Sequence, residues 1–258
     1  MKGSLARGIH ILWAVARAGR PIGLSELALA AGLDKATTHR LAQTLVQLGC
    51  LEQDADKREY RVSIRVLDFG FAYLNNLDVR LRALPHMQAL SRELGYAVSL
   101  SALDGADVVY LEHLRAAPLR MALGVPLGFR IPANCSSMGK AMLACLGDDE
   151  RRQVLRGRPL EALTARSITD ADTLEVELEK IRRCGFAIND EEAAFGLRSV
   201  ASAVRDGFRR PVAAINVAVP ASQVSVVELE RVIAPLVVRA AALVSGELGF
   251  RDALAATG

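Results

Sequence analysis

Two short helices joined by a glycine turn are written into Pro21–Leu51, PIGLSELALAAGLDKATTHRLAQTLVQLGCL, and no other stretch constrains the chain as much. The first helix spans roughly Leu24–Ala31, with Ser25 as its N-cap candidate and Leu27, Ala28 and Ala31 on one face. Gly32 stands where a left-handed residue ends a helix at little cost. Asp34 is placed to cap a second helix, whose apolar stripe is Leu41, Leu45 and Leu48. That stripe leaves Lys35, Thr37, Thr38, His39 and Arg40 on the first turns, and Gln43 beyond them, free to face outward. A helix-turn-helix has this division, with a buried back and a polar N-terminal end that enters the major groove.

An ordinary helical hairpin shares the pattern, so the residues that follow matter. Leu51-Glu52-Gln53 and Tyr60-Arg61-Val62 are short strand-like runs bridged by Asp54-Ala55-Asp56-Lys57-Arg58-Glu59. A charged hairpin directly after a recognition helix is the wing of a winged helix. Lys57 and Arg58 at its tip would reach phosphates, where contacts position a protein and carry little sequence information.

Charge agrees with this division. Residues 1–82 hold 12 Lys and Arg against 8 Asp and Glu, whereas the remainder holds 20 against 21. The surplus that gives the chain its net +3 therefore lies in the DNA-reading part. Half of the 258 residues are apolar, yet no run approaches a membrane span. The start lacks a secretory signal pattern, so a cytoplasmic location is expected. Cys50, Cys135, Cys145 and Cys184 have no metal-ligand or CxxC spacing and read as reduced packing residues. The four histidines form no ligand pair, and neither metal nor cofactor is expected.

Ser4–Gly19 reads as an opening helix with Leu5, Ile9, Leu12, Val15 and Ala16 inward. Three helices and a wing then make a domain over residues 1–64, with a connecting helix over 65–82 and a second domain over 83–258. Ile64–Asn75 is too apolar for a free linker and is expected to pack on the opening helix or a second subunit; the apolar run Val66–Leu74 predicts a homodimer through the opening and linker helices. In the second half Leu81–Leu94 reads as a helix kinked at Pro85. Ala97–Leu103, Val108–His113, Arg120–Leu123, Phe186–Ile188, Ser199–Arg205 and Val212–Val219 read as strands, and Gly124–Pro132 as a loop. Ser137–Cys145, Asp148–Arg156, Thr169–Arg183 and an interrupted Ser225–Leu248 read as helices. The sum is α+β: a helical winged domain, then an antiparallel sheet with flanking helices.

With both domains placed, the chain resembles the IclR family of bacterial transcription regulators. The likeness is carried by SLARGIHIL, LSELALAAGLDKATTHRLAQTLVQLGCL, YRVSIRVLDFGFAYL, IPANCSSMGKAMLACL, GFAINDEEAAFGLRSVASAVRD and AAINVAVPASQ, in that order. It implies a winged helix, a linker helix and a GAF-like effector-binding domain, assembled as dimers or dimers of dimers on palindromic double-stranded DNA. PANCSSMG, VSLSALDGADVVYLEHL and DFGFAYL are most similar to the aromatic-acid regulators of the protocatechuate and p-hydroxybenzoate type. DEEAA at Asp190–Ala194 is closer to the general family pattern.

The family's ligand loop falls on Asn134, Cys135, Ser136, Ser137, Met138 and Gly139. The physics of that segment agrees, because Ser136, Ser137 and Gly139 begin a helix whose free N–H groups favour an anion. By the same carry-over Leu123 and Ile131 line an apolar wall, while Asn189, Ser199, Asn216 and Ala218 face the ligand across the sheet. Arg120 falls where a carboxylate partner could stand. The resemblance thus implies a small carboxylate effector, an aromatic acid such as p-hydroxybenzoate or protocatechuate, with a short keto acid as the alternative. A small serine hydrolase using Ser136 or Ser137 is the rival from another class; the chain has no GxSxG elbow, and no motif links His86 or His113 to those serines.

Overall fold

The computed structural model describes residues 3–115 and 125–251, and the chain divides into two compact units, Met1–Asn76 and Leu77–Gly258. The first unit comprises α1 (Ser4–Ala18), α2 (Leu24–Ala31), α3 (Lys35–Gln47), β1 (Leu51–Gln53) and β2 (Tyr60–Val62). After a 3-10 turn at Ile64–Val66 it ends in α4 (Leu67–Asn75). Ile11, Val15, Ile22, Leu27, Leu41, Ala42, Leu45, Leu51 and Tyr60 form its core. Tyr60 is fully buried, and its backbone exchanges two hydrogen bonds with Ile22, which adds a third chain segment to the wing.

Three sequence expectations are corrected here. The sequence of α1 carries two apolar stripes, and a small unit can bury one of them. Gly8, Ile11 and Val15 are buried, while Leu5, Ile9 and Ala16 face outward together with Trp13. Ser25 does not cap α2: the cap position is Gly23, and Ser25 lies exposed inside the first turn. Leu48 is 66% exposed because α3 stops at Gln47 and the chain turns at Gly49, whose φ of 73° is left-handed. Thr38 and Ala42 take the inward places instead.

The second unit begins with α5 (Asp78–Leu94), which starts earlier than the expected Leu81 and runs on through Pro85. Asp78 in its first turn pairs with Arg82 one turn on, at 2.9 Å. The stretch 65–82 holds two helices separated at Asn76–Leu77, next to the break that Asn75-Asn76 marks in the sequence. Then follow β3 (Ala97–Asp104), β4 (Asp107–Leu114), β5 (Arg130–Pro132), α6 (Ser137–Cys145), α7 (Asp148–Leu155), α8 (Ala171–Cys184), β6 (Ala187–Asp190), β7 (Leu197–Arg205) and β8 (Pro211–Pro220). The closing segment is α9 (Val226–Glu228), a π-helical stretch at Leu229–Ile233, and α10 (Ala234–Glu247). Pro235 cannot donate a hydrogen bond back into the preceding turn, and the helix widens just before it.

The six strands form one antiparallel sheet in the order β5-β4-β3-β8-β7-β6. α5 and α10 pack together on one face; α6 packs on the other, with α8 behind it. Arg130–Pro132 was expected as loop, but it pairs with Asp107–Val109 as an edge strand. The expected strand Arg120–Leu123 lies outside the described residues.

Candidate functional site

The first surface is the N-terminal half of α3. Asp34 Oδ1 accepts the Thr37 N–H at 2.8 Å and fixes the start of the helix, and this bond holds the Asp34 carboxyl below its ordinary range. Lys35, His39 and Arg40 are exposed on the first two turns, with Thr37 half-buried beside them. Thr38 is a correction: it is wholly buried, and its hydroxyl donates to the Asp34 carbonyl at 2.8 Å, so it braces the turn and does not reach outward. Gln43 also turns inward, donating to Gln53 Oε1 of β1 at 2.7 Å and tying the helix to the wing. Ser25 is exposed on α2.

The wing tip is a compact Asx turn. Asp54 Oδ1 accepts the N–H groups of Asp56 and Lys57, both at 2.9 Å, and Arg58 adopts a left-handed φ of 56°. The turn leaves Lys57 and Arg58 exposed at its apex. Below it Glu52 and Arg61 stand directly opposite each other and pair at 2.7 Å. Two cationic groups on a wing and a basic, hydrogen-bonding helix end form a surface suited to DNA.

The second surface is the sheet face beneath α6. Register places Ala187, Ala201, Asn216, Ser99 and His113 side by side across β6, β7, β8, β3 and β4. A parallel row holds Asn189, Ser199, Ala218 and Ala97, and another holds Ala203, Ala214, Ser101 and Tyr110. The first turn of α6 touches two of these rows: Ser137 Oγ bonds Ser199 Oγ at 2.8 Å, and Ser101 Oγ donates to the Met138 sulfur at 3.0 Å. Ser136 caps α6 by accepting the Gly139 N–H at 3.0 Å. The N–H groups of Ser137 and Met138 have no acceptor within the helix, so the positive end of α6 lies beside a polar sheet face.

Several expected ligand residues do other work. Asn134 donates to the carbonyls of Glu161 and Ile168, and the Cys135 thiol donates to the Glu161 carbonyl; both anchor the turn before α6. Asn189 donates to the Cys135 carbonyl and accepts the Glu192 N–H at 3.1 Å, which joins that turn to the β6–β7 loop. Gly139 is required by packing, since a Cβ there would lie 2.2 Å from the Ala133 carbonyl oxygen. Asn134, Cys135, Asn189 and Gly139 thus build the scaffold of the turn before α6. Ser137, Met138, Ser199, Asn216, Ala218 and Ile131 do share the α6 side of the sheet. Arg120 and Leu123 lie outside the described residues.

Ser99, Ser101, Tyr110, His113 and Phe129 belong to this face and were missed. The alternation Ala97-Val98-Ser99-Leu100-Ser101 carries the signal, because it sends two serines to the face opposite Val98 and Leu100. Tyr110 and Phe129 approach with ring centroids 5.9 Å apart. Burial pushes the Tyr110 hydroxyl up to about 12.

A buried ion pair braces the same helix. Lys140, on α6, is 1% exposed, and its Nζ lies 2.6 Å from Glu192 Oε1 and 3.6 Å from Glu177. Burial raises the Glu192 carboxyl above its ordinary range despite the opposing pull of Lys140. Among the described residues no group of His, Cys, Asp and Glu could hold a metal, and no helix is long and apolar enough to cross a membrane.

A winged helix-turn-helix joined to a sheet domain with a buried polar face defines a DNA-binding regulator with a sensing domain. The IclR helix-turn-helix domain matches residues 4–55, and the C-terminal domain of the bacterial transcriptional regulator IclR matches residues 71–245. The chain belongs to the IclR family of transcriptional regulators. It is 30% identical over 237 residues to the Pca regulon regulatory protein of Pseudomonas putida, covering 92% of this chain and 81% of that protein. A transcriptional regulator from Rhodococcus sp. RHA1 is 34% identical, with a TM-score of 0.79 over 96% of this chain and 98% of that one. An IclR homolog from Microbacterium hydrocarbonoxydans, solved in complex with 4-hydroxybenzoate, shares the fold at 24% identity and a TM-score of 0.78, covering 95% of this chain and 99% of that one. The matched domains and relatives are those of transcriptional regulators, not enzymes.

Proposed function

We propose that this regulator binds a palindromic operator as a homodimer or dimer of dimers, and that a small aromatic carboxylate controls the binding. The observation that carries the effector reading is the face under α6. Free N–H groups at a helix start favour an anion, while Tyr110, Phe129, Ile131 and Met138 supply apolar surface suited to a flat ring. The regulator of Pseudomonas putida named for the pca regulon and the homolog holding 4-hydroxybenzoate support the aromatic class. The exposed apolar residues of the first unit support self-association. Leu5, Ile9 and Trp13 line α1, and Leu67, Phe69, Phe71 and Tyr73 are each more than half exposed on α4.

Thermal unfolding of the full chain with benzoate, 4-hydroxybenzoate, protocatechuate, pyruvate and glyoxylate tests the effector. An aromatic acid is expected to raise the midpoint, because it binds the native state alone. A rise with the keto acids and none with the aromatic acids would overturn the class. Sedimentation showing monomer at micromolar concentration would overturn the assembly.

A further inference from the structure

The row Asn216–Ser99–His113 contains more hydrogen-bonding capacity than the protein uses. Asn216 is 4% exposed, and its Oδ1 has no hydrogen-bond partner among the described residues. An unpaired buried acceptor costs stability, so its presence calls for a further donor, which a bound ligand can supply. Ser99, directly opposite on β3, is buried, and its hydroxyl is shared with His113 Nδ1 at 3.0 Å. That bond fixes the imidazole next to Asn216's neighbour and leaves Nε2 available, with no partner recorded among the described residues. Burial, and then the charge of Arg115, lower the His113 pKa below its ordinary value, which favours the neutral ring.

The row is therefore uncharged and offers both donors and acceptors. A carboxylate has no proton to give Asn216 Oδ1, but a hydroxyl has one and can also accept. The anion-favouring end of α6 is reached through Ser137 and Ser199, and Ser199 stands on β7. His113 stands on β4, three strands away, which is about 14 Å at the usual strand spacing, and Asn216 stands between them on β8. Less the inward reach of the side chains at both ends, that separation accommodates one substituted ring.

We propose that His113, latched by Ser99 beside Asn216, is the specificity-determining residue of the effector site, and that this row binds a hydroxyl at the end of the effector remote from its carboxylate. The inference rests on the aromatic-acid reading above and narrows it to hydroxylated acids. Benzoate and 4-hydroxybenzoate share ring and carboxylate and differ in that one group. A site built to pair a hydroxyl rejects the analogue lacking it, because its own polar groups are then left unpaired.

Calorimetric titration of the full chain with these two acids is the test. The wild type is expected to bind 4-hydroxybenzoate at least about tenfold more tightly than benzoate. His113→Phe is expected to remove most of that ratio, by weakening 4-hydroxybenzoate and relieving the unpaired polar group that benzoate leaves. Ser99→Ala, a smaller change that keeps the imidazole but frees it, guards against a folding failure and is expected to reduce the ratio in part. Equal binding of the two acids by the wild type, or an unchanged ratio in both variants, would overturn the role of His113 and leave the aromatic-acid reading standing. Failure of both acids to bind would overturn that reading and this inference together.

Discussion

Replacing Gly139 with alanine places a methyl carbon 2.2 Å from the Ala133 carbonyl oxygen and 2.4 Å from the Ala133 Cα. Both neighbours are backbone, so no side chain can rotate away. Restoring an ordinary separation of about 3.5 Å requires α6 and the Ala133–Cys135 turn to part by more than about 1 Å. Overpacking costs about 1–3 kcal/mol where side chains can yield. With backbone on both sides the expected loss is at the upper end, about 3 kcal/mol. Gly246 on α10 is the control in the same unit, because a Cβ there meets nothing within 4 Å. Gly246→Ala is expected to stabilise by up to about 1 kcal/mol through helix propensity and a less flexible unfolded chain. Urea unfolding of both variants followed by circular dichroism reads these opposite signs. A Gly139→Ala protein within about 0.5 kcal/mol of wild type would refute the close approach of α6 to the turn that aims its first residues at the sheet.

Other expectations separate the two surfaces. His39→Ala with Arg40→Ala should abolish sequence-specific DNA binding in a protein with unchanged thermal midpoint; retained operator affinity would contradict the assignment of α3. Lys57→Ala with Arg58→Ala should instead weaken all sequences alike and flatten the salt dependence, by about 1.8 in the logarithmic slope per protomer if each side chain meets one phosphate. An unchanged slope would remove the wing tip from the backbone contact. Lys140→Met leaves Glu192 buried without its partner and should destabilise the second unit by about 3–5 kcal/mol, most of which Glu192→Met in the same chain should restore; a stable single variant would show the pair is solvated. His113 should titrate below its ordinary 6.5 in a histidine NMR experiment. Its depressed folded-state pKa means that its contribution to stability is present above pH 6.5 and lost as pH falls. Titration above 6.5 would show the ring is not desolvated.

The helix-turn-helix was legible because its signals are local. Gly32, Asp34 and the spacing of Leu41 and Leu45 act within one or two turns, and α2, β1 and β2 fall where the sequence puts them. Where the sequence offered two apolar stripes, as in α1, periodicity could not choose between them; the inward one was decided by neighbours distant in sequence. The same limit explains Thr38 and Gln43, which carry DNA-reading chemistry but are turned inward by Asp34 and Gln53. In the proposed effector site the start of α6 was legible from IPANCSSMG. On the sheet beneath it Asn216 came from the family resemblance alone, and Ser99 and His113 were missed, because the three lie far apart in the chain and meet through strand register. Likewise Asn134 and Asn189 have the chemistry of ligand donors, and the hydrogen bonds that occupy them come from loops no local pattern foretells.

The central claim is that the winged domain reads a specific DNA site and the sheet domain controls that reading through a small acid. Its most direct test is fluorescence anisotropy on DNA selected by the purified protein from random fragments, titrated with and without 4-hydroxybenzoate at fixed salt. The expected result is a two-fold-symmetric site bound at least about a thousandfold more tightly than unrelated DNA, with an affinity that shifts when the acid is added and does not shift in the Ser136→Ala, Ser137→Ala variant. Recovery of no common sequence, or a specific site whose affinity the acid leaves untouched, would contradict it.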